Sequence, residues 1–363
     1  MLTPDYLAYV RDKSISITEP VNDFILRDVA RRVAEAGQFT STAAYQAYIA
    51  KMLGDKDFEK KLALLLNKTE EETARLIQGA AEFGYNADVK RFPDALTFEE
   101  NASIQNIVNG ALWLTGGGMK NITKTLGMTG PYGGALPLRE AYVACTDYAF
   151  DNVITGAMDY NTAIRRAVER IAQKGVLAVD YQSGMRTSVE AAVRRNIMGG
   201  LGLMEEQISK QNHDDLGADG WEISAHANSA PDHEPIQGRQ YSDKEYEELN
   251  NSLVRRISTL NCGHIASPII MGVSSPQYSE KELQDMREKN EAGVTIDGKH
   301  YTGYETTQVQ RQLETAMRYQ KRRVSLGLND KTKLRVLQQE YRRFSKAAGL
   351  RTQYERAWIA KGA

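Results

Sequence analysis

Histidine and cysteine are bunched in the middle of this chain, although both residue types are scarce in it. Three of the five histidines and one of the two cysteines lie within one short stretch, at His226, His233, His264 and Cys262. If Cys262 and His264 lie on an extended segment, their side chains point to one face, because side chains alternate along a strand. The SAPDH sequence at 229–233 predicts a tight turn, since Pro231 fixes its own φ and Asp232 can bond nearby backbone. The spacing therefore predicts that polar side chains from two segments meet in one place.

Three interpretations compete for this cluster. In the first it is a structural polar network that satisfies buried backbone groups, with the members His226, Asp232, His233, Cys262 and His264. In the second it is a zinc site, because zinc prefers four nitrogen and sulfur ligands, here His226, His233, Cys262 and His264. The spacing of these four matches neither paired CxxC nor HExxH. In the third it is the site of a hydrolase or transferase, for which no nucleophile with its base can be named.

Four sequence motifs follow one another over the second half of the chain. They are DYQSGMRTSVEAAVRRNIMGGL (180–201), HANSAPDHEPIQG (226–238), NCGH (261–264) and YTGYETTQVQRQLETAMRYQKRR (301–323). In content and order they resemble the minor capsid protein 2 family of tailed bacteriophages, which is distantly similar to Mu F-type head morphogenesis proteins. The resemblance covers most of the chain and is strongest from about Ala178 onward. It implies a low-copy structural component of the phage head that is associated with the portal.

Two arginines that are usual in this family are absent here. Ala230 stands where the family tends to have the arginine before proline, and Gly263 stands where NCRH is usual. Neither residue can bind an anion as a guanidinium does. The residues that do match suit turns, hydrogen bonds or a metal better than an anionic substrate: His226, Pro231, His233, Gln237, Gly238, Asn261, Cys262 and His264. Gln237 and Asn261 thereby join the structural polar cluster, and we expect no catalytic residue and no cofactor unless zinc binds.

The length and periodicity of the chain predict an α+β fold that is predominantly α-helical. A chain of 363 residues is too long for one ordinary core. Residues 1–175 are expected to be a helical region with a glycine-rich loop at 115–137. Residues 176–278 are expected to form a small central α+β domain that carries the histidine and cysteine cluster. Residues 279–363 are expected to form a β-hairpin followed by long, basic C-terminal helices.

Short local signals predict where elements begin and end. Capping boxes are predicted from Ser/Thr-x-x-Glu patterns at Thr69 with Glu72, Thr97 with Glu100, Thr187 with Glu190, Ser242 with Glu245, and Ser279 with Glu282. Gly199 and Gly200 predict the end of a helix, and Asp297-Gly298 predicts a two-residue type I′ hairpin turn. The seven glycines of 115–137 predict a flexible loop, and this loop lacks the Walker pattern of a phosphate site. Residues 266–276 predict a short strand, and their prolines predict an edge or irregular position for it.

Positive charge is concentrated near the C-terminus. The whole chain has 46 Lys and Arg against 47 Asp and Glu, which excludes a uniformly basic nucleic-acid coat. Between Arg318 and Arg356, however, twelve basic residues accompany three acidic ones. Such a segment is either a solvated helix face or a surface for packaged DNA or an acidic protein. The predicted contact residues are Arg318, Lys321, Arg322, Arg323, Arg342, Arg343 and Lys346.

We therefore expect a structural protein of a phage head that is not an enzyme. Its expected partners are the portal protein, the major capsid protein or both, with packaged DNA as a further partner. Two cysteines form no disulfide framework, and neither an export signal nor an apolar run long enough for a membrane is present. The expected location is the virion head, after assembly in the host cytoplasm. The alternatives are a metal-dependent, hydrolase-like enzyme centred on the cluster and a DNA-binding accessory head protein.

Overall fold

Helices dominate this computed structural model, which describes residues 2, 4–89, 96–179, 185–258, 262–328 and 331–357. The helices in these residues are α1 (Pro4–Ser16), α2 (Glu19–Ala36), α3 (Thr42–Leu53), α4 (Lys56–Val89), α5 (Ala102–Lys124), α6 (Leu138–Ile154), α7 (Tyr160–Lys174), α8 (Val189–Leu216), α9 (Asp243–Ser252), α10 (Glu280–Ala292), α11 (Gly303–Ser325) and α12 (Lys331–Ala347). The strands are β1 (Leu126–Thr129), β2 (Ala135–Pro137), β3 (Leu177–Val179), β4 (Arg186–Ser188), β5 (Gly220–Ile223), β6 (Gln240–Ser242), β7 (Ala266–Ile269), β8 (Val294–Ile296) and β9 (Lys299–Tyr301). The predicted α+β class with a helical majority is confirmed. None of the described helices combines the length and the apolar character that crossing a bilayer requires.

The largest core is formed by helices that pack on one another. Its fully buried side chains include Ile77 from α4, Met119 from α5, and Ile197, Leu201 and Met204 from α8. Burial of such side chains is the main favourable term in folding, at roughly 1.5–3 kcal/mol for each. This core includes α8 and therefore extends past residue 175, where the sequence predicted a boundary. The division into three domains stays a prediction.

The glycine-rich stretch is not a loop over its first half, and that prediction is wrong. Helix α5 continues to Lys124, and β1 and β2 form an antiparallel hairpin after it. The glycines of α5 and α8 serve close packing instead. A Cβ added at Gly118 would overlap the side chain of Asn196, and one added at Gly200 would overlap Thr115 Oγ1. The two helices approach this closely because neither glycine carries a side chain.

Gly199 and Gly200 do not end a helix, so this prediction is also wrong. Both lie inside α8, which continues to Leu216 and ends at Gly217 with a left-handed φ of 58°. Glycine at that position is favoured because a Cβ makes the left-handed region costly. The same glycine signal in the sequence thus has two structural meanings, packing within the helix and termination of it.

Several capping and turn predictions are confirmed. Both hydrogen bonds of the capping box are present at Ser242 with Glu245, which begins α9, and at Ser279 with Glu282, which begins α10. The β8–β9 hairpin turns at Asp297-Gly298, whose φ values of 51° and 78° are both positive. A type I′ turn requires this.

Two other capping predictions are wrong. Thr69 lies in the middle of α4, where its hydroxyl donates to Leu65 O at 3.0 Å. Thr187 does not cap α8, since Ser188 is the N-cap residue and its side chain makes no capping bond. At Thr97 and Glu100 the reciprocal hydrogen bonds do form, but α5 begins only after Asn101, whose side chain accepts from Ile104 N.

Three small antiparallel sheets lie among the described residues. Their strand orders are β2-β1-β3-β4, β6-β5-β7 and β8-β9. In the second sheet β7 is an edge strand, and its Pro268 stands opposite Trp221. An edge is where proline is tolerated, because it has no N–H to donate to a further strand. The predicted edge position is confirmed, and the β5–β7 pair carries the segments that reach the histidine and cysteine cluster.

The C-terminal helical hairpin is confirmed as well. Helices α11 and α12 enclose a small core of Met317, Tyr341 and Ala357. The Tyr341 hydroxyl donates to Glu314 Oε1 at 3.1 Å in this core. The hairpin therefore has its own apolar contacts, as the stripes of apolar residues predicted.

Candidate functional site

Pairing of β5 with β7 brings the two halves of the site together. Beyond the last paired residues, Ser224 N donates to Ile265 O at 2.8 Å, and Ile265 N donates to Ser224 Oγ at 2.9 Å. His226 lies two residues after Ser224, and His264 directly precedes Ile265. A helical turn follows His226, in which His233 N donates to Ala230 O at 2.9 Å. The convergence predicted from alternating side chains is therefore present.

Three side chains of the cluster face one another at hydrogen-bond distance. His233 Nδ1 lies 3.3 Å from His264 Nδ1, and Cys262 Sγ lies 3.3 Å from His233 Nδ1 and 3.4 Å from His264 Nδ1. Both histidine side chains are buried. Burial, together with the nearby His226 and His233, lowers the pKa of His264 to about 3. Two imidazole nitrogens and one sulfur thus form a compact triangle of metal-ligating atoms.

The outer nitrogens of both rings are held by acceptors. His233 Nε2 lies 2.8 Å from Arg255 O, so this nitrogen carries the proton. His264 Nε2 lies 3.1 Å from Gln237 Oε1, which also accepts from His226 N, and 3.3 Å from Ser229 Oγ. In a neutral imidazole only one nitrogen carries hydrogen. Both Nδ1 atoms therefore present lone pairs towards Cys262.

His226 lies beside the triangle and is not a corner of it. Its ring stacks on His264 with ring centroids 4.3 Å apart, and its Nδ1 lies 3.1 Å from Ala227 O. Gly263 makes room for this ring, because a Cβ added there would lie 2.9 Å from His226 Nε2. Burial also lowers the pKa of His226. Of the four predicted zinc ligands, the structure brings three together and gives His226 a stacking role.

The other predicted members of the polar cluster are dispersed around this centre. Asp232 is bound to Arg255 by two hydrogen bonds, of 2.5 and 3.2 Å, and lies 3.8 Å from His233 Nε2. Gln237 is buried and links His226 to His264. Asn261 lies outside the described residues. The structural polar network is thus visible for six of the seven predicted residues, and its functional role stays a prediction.

A cavity of about 300 Å³ adjoins the triangle, and its lining includes three arginines. Arg11 comes from α1, Arg255 from the loop after α9, and Arg311 from α11. Within the described part of the chain, no carboxylate pairs with the guanidinium of Arg11 or Arg311, whereas Arg255 is paired with Asp232. Burial, followed by repulsion from Arg311, lowers the pKa of Arg11 to about 10. Arg11 and Arg311 therefore give the cavity a positive charge at neutral pH.

These arginines were not predicted from the sequence. The absence of arginine at 230 and 263 predicted instead that the cluster is poorly suited to an anion. The positive charge comes instead from Arg11 and Arg311, which lie far from the cluster along the chain. Arg311 lies within the fourth family motif, at 301–323, but neither that motif nor the sequence around Arg11 indicates a contact with the cluster.

The basic residues of α11 that were predicted to contact DNA or a partner point towards this chain's own helices. Arg322 is buried, and its Nε donates to Ala172 O at 2.9 Å, at the end of α7. Arg318 and Arg322 both approach Glu190, at 4.0 and 3.8 Å. Lys321 pairs with Glu19 of α2 and Arg323 with Glu169 of α7, so these side chains help to dock α11 on the helical core.

The basic residues of α12 are more exposed. Arg343 binds Asp297 of the β8–β9 turn and Glu340 of its own helix, at 2.5 and 2.8 Å. Arg342 and Lys346 are exposed on the same helix. Contact of these residues with DNA or with another protein stays a prediction.

Comparison with known proteins gives one result. No curated protein and no solved structure matches the chain. The model of the phage minor capsid protein 2 family does match, and it covers residues 2–348, nearly the whole length. A match of this extent includes the helical core, the histidine and cysteine triangle, and the docked C-terminal hairpin. The chain therefore belongs to the phage minor capsid protein 2 family and is a structural protein of a phage head.

Proposed function

We propose that this protein contacts the portal protein, the inner capsid or both during head assembly, and that it turns over no substrate. The observation that carries the proposal is the family match over residues 2–348. Under this proposal the protein resides in the virion head and is in the host cytoplasm before assembly. The proposal predicts that the protein is present in purified virions and co-sediments with portal protein.

Two exposed aromatic side chains support a protein contact through the N-terminal helical region. Trp113 on α5 is 78% exposed, and Tyr132 in the β1–β2 turn is 80% exposed. Large aromatic side chains are enriched in protein interfaces and often provide most of the binding energy. Their exposure in an otherwise well-packed helical region supports a partner surface there.

The variant Trp113→Ala tests this surface. Because the side chain is exposed on α5, we expect normal folding, and because interface tryptophans often contribute at least about 2 kcal/mol, co-sedimentation with portal protein should weaken about 30-fold. Asn109→Ala, one helical turn away and also exposed, is the matched control. Wild-type binding by the variant would exclude this surface. Absence of the unmodified protein from purified virions would overturn the whole proposal.

A metal-dependent hydrolase is the second candidate, and one observation favours it. Arg11 and Arg311 line the cavity beside the triangle, where a negatively charged substrate would find counter-charges. Hydrolysis of a phosphate ester by the zinc-loaded protein, lost on Cys262→Ala, would establish it against the structural proposal. We expect no turnover above the zinc-only control.

Contact with packaged DNA has weaker support, because Lys321 and Arg323 are engaged within the chain. Arg342 and Lys346 are exposed on α12 and are the candidates for this contact because of that exposure. Binding through phosphates would lose affinity steeply between about 50 and 200 mM salt. Affinity that hardly changes over this range would argue against such contact.

A further inference from the structure

We propose that His233 Nδ1, Cys262 Sγ and His264 Nδ1 bind one zinc ion, and that an oxyanion in the arginine-lined cavity supplies its fourth ligand. This inference does not rest on the proposed contact with the portal. If the protein binds zinc but is absent from virions, the zinc site holds and the proposed function fails. If it is present in virions but binds no zinc, the proposed function holds and the zinc site fails.

The distances within the triangle fit a zinc ion. With bonds of about 2.0–2.1 Å to nitrogen and 2.3 Å to sulfur at tetrahedral angles, two nitrogens lie about 3.4 Å apart, and nitrogen and sulfur lie about 3.6 Å apart. The observed separations are 3.3 Å between the nitrogens, and 3.3 and 3.4 Å from the sulfur to them. Only shifts of a few tenths of an ångström are needed. Two histidine nitrogens and one thiolate are also the ligand types that zinc prefers.

The hydrogen bonds around the triangle orient both rings for a metal. His233 Nε2 is bound to Arg255 O, and His264 Nε2 is bound to Gln237 Oε1. Metal-ligating histidines nearly always donate their other N–H to such an acceptor, which fixes the ring nitrogen that faces the metal. Without an ion, two lone pairs face each other at 3.3 Å, and the single thiol hydrogen can satisfy only one of them. An ion satisfies all three atoms at once.

The backbone also favours a thiolate at this position. His264 N lies 3.4 Å from Cys262 Sγ in a geometry that donates to it. Zinc binding replaces the thiol proton, which leaves to solvent, so the step is a proton-for-metal exchange with no change of oxidation state. The other cysteine, Cys145, is buried in the helical core and has no such surroundings.

Three protein ligands leave one position of a tetrahedral zinc open. The three ligand residues line the same cavity as Arg11 and Arg311, whose guanidinium groups pair with no carboxylate in the described parts of the chain. A zinc ion with one thiolate carries a further net positive charge into this cavity. The chemistry that balances these charges is an oxyanion of the phosphate or carboxylate class, since guanidinium groups bind both.

Cobalt(II) substitution tests the metal site in the full chain. Protein purified without metal should bind one equivalent of zinc or cobalt, and the cobalt form should show thiolate-to-metal charge-transfer absorption and the intense d–d bands of a four-coordinate ion. Cys262→Ala should lose the charge-transfer band and should weaken zinc binding beyond the roughly 10–100-fold loss typical of outer-sphere changes. Cys145→Ala is the matched cysteine control and should keep both.

Several outcomes would overturn the assignment. They are binding of less than about one-tenth equivalent of metal by the unmodified protein, a cobalt spectrum without the thiolate band, or a spectrum unchanged by Cys262→Ala. Loss of metal on His226→Ala at unchanged fold would also contradict it, because His226 stacks on a ligand and does not ligate. If Cys262→Ala fails to fold, the cobalt spectrum of the unmodified protein still shows whether a thiolate binds the metal.

The oxyanion is tested on the same cobalt form. Addition of inorganic phosphate or of acetate should shift the d–d bands, and Arg311→Ala should raise the concentration needed at least tenfold. A response to phosphate alone would identify a phosphate-type ligand, and a response to acetate alone a carboxylate. A spectrum that neither anion changes would overturn this part of the proposal and leave the metal part intact.

Discussion

The close approach of α5 and α8 predicts opposite effects of the same substitution at two neighbouring glycines. Gly199 and Gly200 both lie inside α8, where alanine is favoured over glycine by about 1 kcal/mol. A Cβ at Gly199 meets no atom within 4 Å, whereas a Cβ at Gly200 overlaps Thr115 Oγ1 on α5. Gly199→Ala should therefore stabilise the protein by about 1 kcal/mol. Gly200→Ala should lose this gain to overpacking, which costs about 1–3 kcal/mol.

A second substitution isolates the clash. Thr115 Oγ1 is buried and has no hydrogen-bond partner among the described residues. Thr115→Ala removes that oxygen without removing a hydrogen bond, and the new Cβ at 200 would then meet the Cβ of residue 115 at an ordinary 3.4 Å. The double variant should recover about 1–3 kcal/mol relative to Gly200→Ala alone. Thr115→Ser keeps the oxygen and should give no such recovery.

Guanidinium denaturation followed by far-ultraviolet circular dichroism measures these differences. Variants are compared by the denaturant concentration at the midpoint of unfolding. Only variants with the same dependence of unfolding free energy on denaturant are compared, because a shifted midpoint then reports a change in stability. Equal effects of Gly199→Ala and Gly200→Ala, or no recovery in the double variant, would refute the close helix crossing. A loss of stability on Gly199→Ala would mean that α8 ends there, as the sequence alone suggested.

Two further substitutions test contacts that hold the helices together. Arg322→Ala should destabilise the protein by about 2–3 kcal/mol, because it removes the buried hydrogen bond to Ala172 O and one of the two arginines that approach Glu190, while Arg318 remains 4.0 Å from that carboxylate; a loss below about 1 kcal/mol in a urea titration would contradict this. Asp55 directly precedes α4, and its hydrogen bond from Phe58 N, followed by that from Arg32, holds its pKa below the usual value. A lowered pKa in the folded state adds stability above the unfolded pKa of about 3.9, and this is lost as the pH falls through the folded pKa. Asp55→Asn should therefore destabilise the protein at pH 7, and the difference should vanish in acid; a pH-independent difference would exclude the ionic contribution.

The elements that the sequence predicted well are those with local causes. The α11–α12 hairpin follows from apolar stripes such as Leu334, Leu337 and Tyr341, and the β8–β9 turn follows from Asp297-Gly298. In each case the residues that determine the structure are neighbours in the chain. Periodicity and turn chemistry therefore suffice.

The glycines show why other elements could not be predicted. A glycine lowers helix propensity wherever it occurs, so Gly118 and Gly200 carry the same local signal as a glycine that ends a helix. Their role depends on Asn196 and Thr115 on the opposite helix. That information is tertiary, and no local rule contains it.

The same distinction between local and tertiary information applies to the candidate site. Alternation along an extended segment predicted that Cys262 and His264 would point to one place, and antiparallel pairing of β5 with β7 brings His233 to them. The exclusion of His226 depends on the space over Gly263, which only the folded chain reveals. Spacing could thus predict a cluster, but it could not predict which of its members share a ligand geometry.

The arginines of the cavity lead to a conclusion about the molecule as a whole. Gly263 leaves space for the ring of His226, and the positive charge of the cavity comes from Arg11, Arg255 and Arg311. Arg11 lies on the first helix and Arg311 on α11, and both line the cavity that the central histidine and cysteine triangle also lines. Because the lining combines the N-terminal, central and C-terminal parts of the chain, its full set of charges exists only when all three are assembled. The cavity therefore lies where the N-terminal, central and C-terminal parts of the chain meet. A ligand bound there would stabilise the contacts between these three parts as well as the central part itself.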